Sequence, residues 1–320
     1  MKKILVTGAS GWLGSELTGQ LLLEGHFIRA LVLGVTPALQ KLQETYAKQL
    51  EIVVGDICNE AILRDCLSDI NIVYHLAAKV HTLANNKDEE SDFFKINYEA
   101  SKKLFNLCSE LRLQRVIFYS SVSVYGDSDE MISINSVPNP QTPYAKSKLL
   151  AEEVAQKLFI DKQLPITIIQ PVTVYGGNDI GNFDKLKKLV SKGFLVRFGH
   201  GKNKKSVIYY KDLVTMTLAI ANDPSFIGKK IICGTENLSV NEINKVLIEA
   251  VDKKVIYLKV PQSITNLSNI ILSRIPMSAI KNINRQITVL STSNEFDISL
   301  NKLFGSNYTK FNDVYGKEKL

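Results

Sequence analysis

Lys3-Ile4-Leu5-Val6-Thr7-Gly8-Ala9-Ser10-Gly11-Trp12-Leu13-Gly14 follows Met1-Lys2 at the start of the chain. Residues 3–7 read as a strand, the glycines come at Gly-x-x-Gly-x-x-Gly spacing, and a helical stretch runs on to Leu23 and ends at Gly25. Strand, glycine turn and helix in that order form a dinucleotide-binding unit. Gly8 allows the tight turn, Gly11 lets backbone approach a pyrophosphate, and Gly14 permits close packing of helix on strand. The helix N-terminus lends partial positive charge to the phosphates. A glycine triplet alone says little; directly behind a first strand it says much.

Outward from this unit, apolar runs recur at residues 27–33, 51–54, 72–76, 116–119 and 166–169, with helical stretches between them, one of them at 93–111. Such alternation predicts an α/β fold, a Rossmann-type doubly wound parallel sheet. Ligands on these sheets lie at the carboxyl ends of strands, where Gly8, Asp56, Ala78, Ser121 and Pro171 all fall. The second strand ends Val32-Leu33-Gly34, with neither the acid that binds ribose hydroxyls nor the arginine that binds a 2′-phosphate. NAD is therefore expected to bind at least as well as NADP. Asp56 can bond an adenine amino group or cap the next helix. Ala77-Ala78 is small enough for backbone to lie against a cofactor.

The chemistry concentrates between residues 118 and 148. Tyr119-Ser120-Ser121-Val122-Ser123 delivers hydroxyls at a strand end, and Pro143-Tyr144-Ala145-Lys146-Ser147-Lys148 opens a stretch of good helix formers. Tyr144 and Lys148 stand at i and i+4 and share a helix face. A free tyrosine, with a pKa of about 10, is a poor base at neutral pH. A neighbouring ammonium would lower it. With a serine hydroxyl opposite, the set can move a proton on and off a carbinol oxygen.

Bulk properties bound the rest. The chain has 320 residues, 45% hydrophobic and 22% charged, in keeping with a soluble globular protein of one large or two interleaved domains. Cys58, Cys66, Cys108 and Cys233 form no Cys-x-x-Cys pair, and His26, His75, His81 and His200 lack metal-ligand spacing. A reducing compartment, the cytoplasm, and no bound metal are expected. No signal peptide is read at Met1-Lys2-Lys3, and the apolar stretch 264–283 is broken by Asn266, Asn269, Arg274, Pro276 and Lys281, so no membrane span is expected. The net charge of +7 includes clusters at Lys185–Lys188 and Lys202–Lys205. They are a solvated face or a site for an anionic small substrate; no motif for nucleic acid accompanies them. Residues 1–170 read as the dinucleotide-binding domain. Residues 171–320 read as mainly a substrate domain, with segments near 206–235 returning to the first.

The chain resembles the extended short-chain dehydrogenase/reductases, the NAD-dependent nucleotide-sugar epimerase/dehydratase family. The resemblance rests on Thr7 to Gly14, Gly55-Asp56-Ile57, His75-Leu76-Ala77-Ala78, Asn97, Ser120 to Gly126, Tyr144 to Lys148, and Pro171 with Val174-Tyr175-Gly176. Ala77-Ala78-Lys79-Val80-His81 is most similar to a bacterial surface-polysaccharide branch, of UDP-N-acetylhexosamine 4-epimerases and 4-keto-sugar reductases. The resemblance implies Tyr144 as acid/base, Lys148 as its modulator and ribose ligand, and Ser121 as the holder of the sugar oxygen, with Ser123 the second candidate. It implies cofactor contacts from Gly8, Ser10, Gly11, Trp12 and Leu13, from Asp56 and Ile57, from Leu76, Ala77 and Ala78, and from Asn97 and Pro171. On the substrate side it implies Asn182 at the nucleotide, Phe198 on uracil, and Lys205 on the diphosphate of a UDP-sugar. Phe198 reads equally as a core residue. A homodimer packed through the helices around Asn97 and Tyr144 is also implied.

Three departures bear on the nucleotide contacts. Gln170 stands where the family usually has arginine, Thr173 where asparagine is frequent, and Lys205 where arginine is usual. A lysine offers a point charge, not a fork. The serine position reads Ser121-Val122-Ser123, without the Asp-Glu pair of the dehydratases, which leaves epimerase and reductase open. Two other readings compete: a carbonyl reductase of the dihydroflavonol or 3β-hydroxysteroid type, and a cofactor-sensing regulator on the same fold. Leu33 and the basic residues near Phe198 speak against the first, and the intact Tyr-Lys pair against the second.

Overall fold

The computed structural model describes residues 1–80, 87–128, 130–177, 182–261, 292–305 and 307–316. They fall into two compact units. The first comprises Met1–Gly126, Val137–Pro171 and Val214–Ile231; the second comprises Asp127–Ser136, Val172–Leu213 and Ile232–Leu320.

In the first unit, β1 (Lys3–Thr7), β2 (Phe27–Val32), β3 (Leu50–Val54), β4 (Ile72–His75), β5 (Arg115–Tyr119), β6 (Ile166–Pro171) and β10 (Lys230–Cys233) form one sheet in the order β10-β6-β5-β4-β1-β2-β3. The pairs β1–β2, β1–β4, β2–β3, β4–β5 and β5–β6 are parallel. Strand order reverses between β1 and β4, the crevice where such sheets bind ligands. The central strands are buried on both faces, and β4 and β5 are buried at every position, which explains their unbroken apolar runs. Helices α1 (Trp12–Leu23), α2 (Pro37–Thr45), α3 (Glu60–Cys66), α4 (Lys87–Phe93), α5 (Ala100–Glu110) and α6 (Pro143–Lys162) connect the strands. Leu104, Phe105, Leu107 and Cys108 of α5, with Ala151, Ala155 and Leu158 of α6, pack on Val116 and Phe118 to make the main core. Thr142 caps α6, accepting from Ala145 N at 3.1 Å, and Pro143 sets its first turn. The predicted single helix 93–111 is divided. A π-helical segment, Phe94–Glu99, separates α4 from α5 and carries Asn97. Such wide turns rotate a side chain out of the α-helical series and recur at functional sites.

In the second unit, β7 (Thr173–Tyr175), β9 (Lys204–Tyr209) and β11 (Glu236–Ser239) form a sheet in the order β11-β9-β7, and β8 (Phe194–Phe198) pairs parallel with β12 (Ile256–Val260). Helices α7 (Asn182–Ser191), α9 (Val240–Glu249) and α10 (Phe311–Tyr315) lie in this unit, and α8 (Tyr210–Asn222) starts in it. Tyr175, Phe183, Phe311 and Tyr315 make an aromatic core, with ring centroids 4.8–6.2 Å apart. The chain passes into the second unit after Pro171, and Asp127–Ser136 also belongs to that unit. Residues 206–209 belong to the second unit because β9 pairs with β7 and β11, and the returning segment is Val214–Ile231. Among the described residues no helix is long and apolar enough to cross a membrane. The stretch 264–283 and His81 lie outside the described residues.

Candidate active site

β5 ends at Tyr119, and the chain then turns through Ser120 and Ser121 into a short 3₁₀ helix, Val122–Tyr125. Ser121 caps that helix, accepting from Ser123 N at 3.2 Å. Its side chain also acts on the Tyr144 phenol, favouring the phenolate. Tyr144, in the first turn of α6, stands edge-on to Phe93 at 6.2 Å. One turn on, Lys148 is 2% exposed; its Nζ donates to Tyr119 O at 2.7 Å and stands 4.9 Å from the Phe118 ring centroid. The serine, tyrosine and lysine read from the sequence thus meet at the carboxyl end of β5. Ser123 Oγ is buried and has no hydrogen-bond partner among the described residues, a donor-acceptor left open beside this cluster.

The electrostatics differ from the expectation that Lys148 draws the tyrosine pKa down. Burial pushes the Tyr144 phenol up to about 12, with Ser121 pulling the other way. Burial also pulls Lys148 down to about 7, opposed by the negative charge of Glu152. The ammonium is directed at a backbone carbonyl rather than at the phenol, so desolvation governs both groups.

The glycine turn is built as predicted for close approach. Gly8 has φ +75°, and a Cβ there would lie 2.7 Å from Ala77 N; at Gly14 it would lie 2.1 Å from Gly8 O. Gly11 is the N-cap of α1 with no side-chain capping bond, and the first turn, which includes Trp12 and Leu13, holds no acid. An uncapped, acid-free helix start beside a backbone cradle fits a dinucleotide pyrophosphate. Ala77 N donates to Thr7 Oγ1 at 3.3 Å, which ties the ends of β1 and β4 together. Leu33 is 76% exposed, so the ribose-side position carries no charge and stands in solvent. Asp56 does not cap α3; Asn59 does, accepting from Ala61 N and Ile62 N. Asp56 Oδ1 instead accepts from Cys58 N at 2.8 Å, which holds the loop behind β3. Asn97 is fully buried and tied to the chain itself. Its Oδ1 accepts from Lys79 N at 2.8 Å, and its Nδ2 donates to Lys79 O at 3.0 Å and Ser147 Oγ at 3.1 Å. It locks the β4 loop to α6.

His75 is held on both ring nitrogens. Ser101 Oγ donates to Asn97 O at 2.7 Å, so it accepts from His75 Nε2 at 2.8 Å; Nδ1 then accepts from Thr7 Oγ1 at 2.7 Å. Burial, with Lys148 adding to it, holds this imidazole down at about 3, so it is neutral. Sequence reading overlooked a second buried chain. Tyr125 OH donates to Gln170 Oε1 at 3.0 Å, Gln170 Nε2 donates to Glu152 at 2.8 and 3.1 Å, and Ser120 Oγ donates to Glu152 Oε1. Its one signal was spacing: Glu152 is four residues beyond Lys148.

In the second unit, Lys205 sits in β9 opposite Leu238. Lys205 is half-buried, and that desolvation pulls its ammonium down to about 8, with Asp127 acting against it. Its neighbour Lys204 is exposed and pairs with Glu295 at 2.9 Å, as strand alternation requires. Phe198 closes β8 opposite Val260 and is half-buried, apart from the unit's aromatic core. Asn182 opens α7; its side chain lies outside the described residues.

The parallel sheet, its reversal at β1/β4 and the glycine turn define a dinucleotide-binding α/β protein with a Ser-Tyr-Lys cluster at the sheet's carboxyl edge. Residues 4–234 match the NAD dependent epimerase/dehydratase family, and the chain belongs to that family. The chain is 28% identical over 266 residues to a UDP-glucose 4-epimerase of Vibrio cholerae, covering 81% of this chain and 79% of that one. It is 33% identical to a D-erythronate dehydrogenase of Cupriavidus necator over 189 residues, covering 52% of this chain and 56% of that one. Among solved structures, UDP-glucuronic acid 4-epimerase from Bacillus cereus in complex with NAD is similar, with TM-score 0.77 and 25% identity, covering 99% of this chain and 97% of that one.

Proposed function

We propose that the chain is an NAD-dependent nucleotide-sugar oxidoreductase or isomerase acting at C4 of a UDP-sugar, as a 4-epimerase or a 4-keto-sugar reductase. The observation that carries this is the buried Lys148, tied to the end of β5 one turn beyond Tyr144, with Ser121 acting on the Tyr144 phenol. NAD, when bound, supplies the acceptor or donor of the C4 hydride. The Gly8-to-Gly14 turn and the start of α1 would hold its pyrophosphate. Asp56, Ile57, Leu76, Ala77 and Ala78 would flank it along the strand ends, and Lys148 would meet its ribose.

Tyr144 at about 12 is protonated at rest, the form that donates to a developing sugar alkoxide. In the oxidative direction it takes the C4 hydroxyl proton, and the Lys148 ammonium, turned from Tyr119 O, stabilises the phenolate. Ser121 passes its hydrogen bond between Tyr144 and the sugar oxygen, and Ser123 Oγ is a second partner for the sugar. Lys205 faces the diphosphate and Phe198 the uracil. The half-buried ammonium of Lys205 suits this anionic substrate better than an apolar ketone. The protein acts in the cytoplasm as a homodimer, a state that light scattering would check.

Incubation with a panel of UDP- and dTDP-sugars, followed by product chromatography and reduced-nicotinamide absorbance, tests the reading. Isomerised sugar without net cofactor change identifies an epimerase, and stoichiometric oxidation of added NADH a reductase. Tyr144→Phe should lower kcat by roughly 10²–10⁴-fold while NAD affinity stays near wild type. Near wild-type turnover in that variant would refute the assignment of Tyr144.

A further inference from the structure

We propose that Glu152 is a positioning residue: its carboxylate, clasped by Ser120 and Gln170, is the counter-charge that keeps the Lys148 ammonium protonated beside Tyr144. The inference deepens the proposed function and rests on it for the role of Lys148.

Glu152 is 1% exposed, and a carboxylate so buried takes up a proton unless other groups stabilise its charge. Its clasp is made of neutral donors, the Ser120 hydroxyl and the Gln170 amide, the latter reaching both carboxylate oxygens at 2.8 and 3.1 Å. Tyr125 OH fixes the far end of that amide at 3.0 Å. Neutral donors stabilise an anion without cancelling its field. The field then falls on the cation one helical turn away, Lys148, on the same face of α6. The two ends are set by consecutive residues at the end of β5, Tyr119 and Ser120: Lys148 Nζ donates to Tyr119 O, and Glu152 accepts from Ser120 Oγ. One strand end therefore sets the spacing of both charges.

The other groups around the pair do not supply this charge. His75, from β4, is neutral, held so by burial and by the Lys148 charge, and so supplies no counter-charge. Tyr144 and Tyr125 are both pushed up to about 12 by burial and carry no charge near neutral pH. Burial pushes the Glu152 carboxyl above the usual carboxylate range; the Ser120 and Gln170 hydrogen bonds, Lys230 from β10 and Lys148 act against that and favour the anion.

The test uses the full chain with [ε-¹³C]lysine, in which Lys148→Met identifies the Lys148 resonance. NMR titration of wild type and Glu152→Gln then gives the Lys148 midpoint. The amide keeps the shape, can still accept from Gln170, and can donate to Ser120, so the fold should survive; a thermal melt verifies it. The midpoint is expected to fall by about one pH unit or more in Glu152→Gln, the scale on which a close opposite charge acts. Coupling between two sites is reciprocal. Lys148→Met should therefore raise the Glu152 midpoint, followed with [δ-¹³C]glutamate, by a similar amount. An unmoved Lys148 midpoint in folded Glu152→Gln overturns the proposal, and if that variant does not fold, an unmoved Glu152 midpoint in Lys148→Met overturns it. Neither measurement needs a substrate. Shifted midpoints without turnover of any nucleotide sugar would refute the substrate reading alone.

Discussion

Alanine at each glycine of the first turn should separate folding from cofactor binding. At Gly8 the backbone has φ +75°, where an L side chain costs about 1–2 kcal/mol. The new Cβ would also lie 2.7 Å from Ala77 N and 2.8 Å from Ala77 Cα, atoms of a strand end that cannot swing aside. Overpacking of this kind costs about 1–3 kcal/mol, for roughly 3 kcal/mol together. In a cooperative unit of ordinary size that is a loss of roughly 6–12 °C in Tm. Gly14→Ala should be at least as severe, since its Cβ would lie 2.1 Å from Gly8 O, inside any tolerable contact. Gly11→Ala is different. Its φ of −70° suits alanine, and the nearest atom, Gly8 O, is 3.2 Å away, so about 1 kcal/mol or less is expected. Its methyl would still stand at the start of α1, where the pyrophosphate is proposed to lie. Differential scanning calorimetry and NAD titration calorimetry on the three variants check this. Stability should fall in the order Gly11, Gly8, Gly14, while Gly11→Ala loses NAD affinity in a folded protein. A Gly11→Ala variant that binds NAD like wild type, or one that melts as early as Gly8→Ala, would refute the reasoning.

Lys205, lowered to about 8, is charged below that pH and neutral above it, so UDP affinity should fall as pH rises through about 8. Lys205→Met should bind UDP more weakly at pH 7 and lose that pH dependence, as measured by calorimetry. His75 is held near 3 when folded, against about 6.5 unfolded. Its folded pKa is depressed, so the unfolded chain binds the proton first, and stability falls as pH drops from about 6.5 towards 3. Urea denaturation at several pH values should show a shallower acid loss in His75→Asn, whatever its stability at pH 7. With Leu33 76% exposed at the end of β2, Leu33→Arg should improve NADPH binding over wild type by fluorescence titration; an unchanged preference would place the ribose elsewhere.

The sheet, the glycine turn and the shared face of Tyr144 and Lys148 were legible in the sequence because each is local. Period and spacing mark strands and helices, three glycines mark a turn, and an i, i+4 pair must share a face. What only the tertiary structure decided lies in partners brought together from distant parts of the chain. The capping alternative for Asp56 fell because Asn59 holds the α3 cap, and Lys205 is half-buried where Lys204 beside it is exposed because the middle of β9 is packed inside its sheet. The tyrosine pKa was misjudged from spacing alone: i, i+4 puts Lys148 near Tyr144, but burial and the Tyr119 carbonyl decide where the charge acts. Likewise Glu152 reads in sequence as one more helix former, and it becomes a counter-charge only when Ser120 and Gln170 close around it. Desolvation is a property of the whole fold around a group, which is why the residues could be named from the sequence and their protonation states could not.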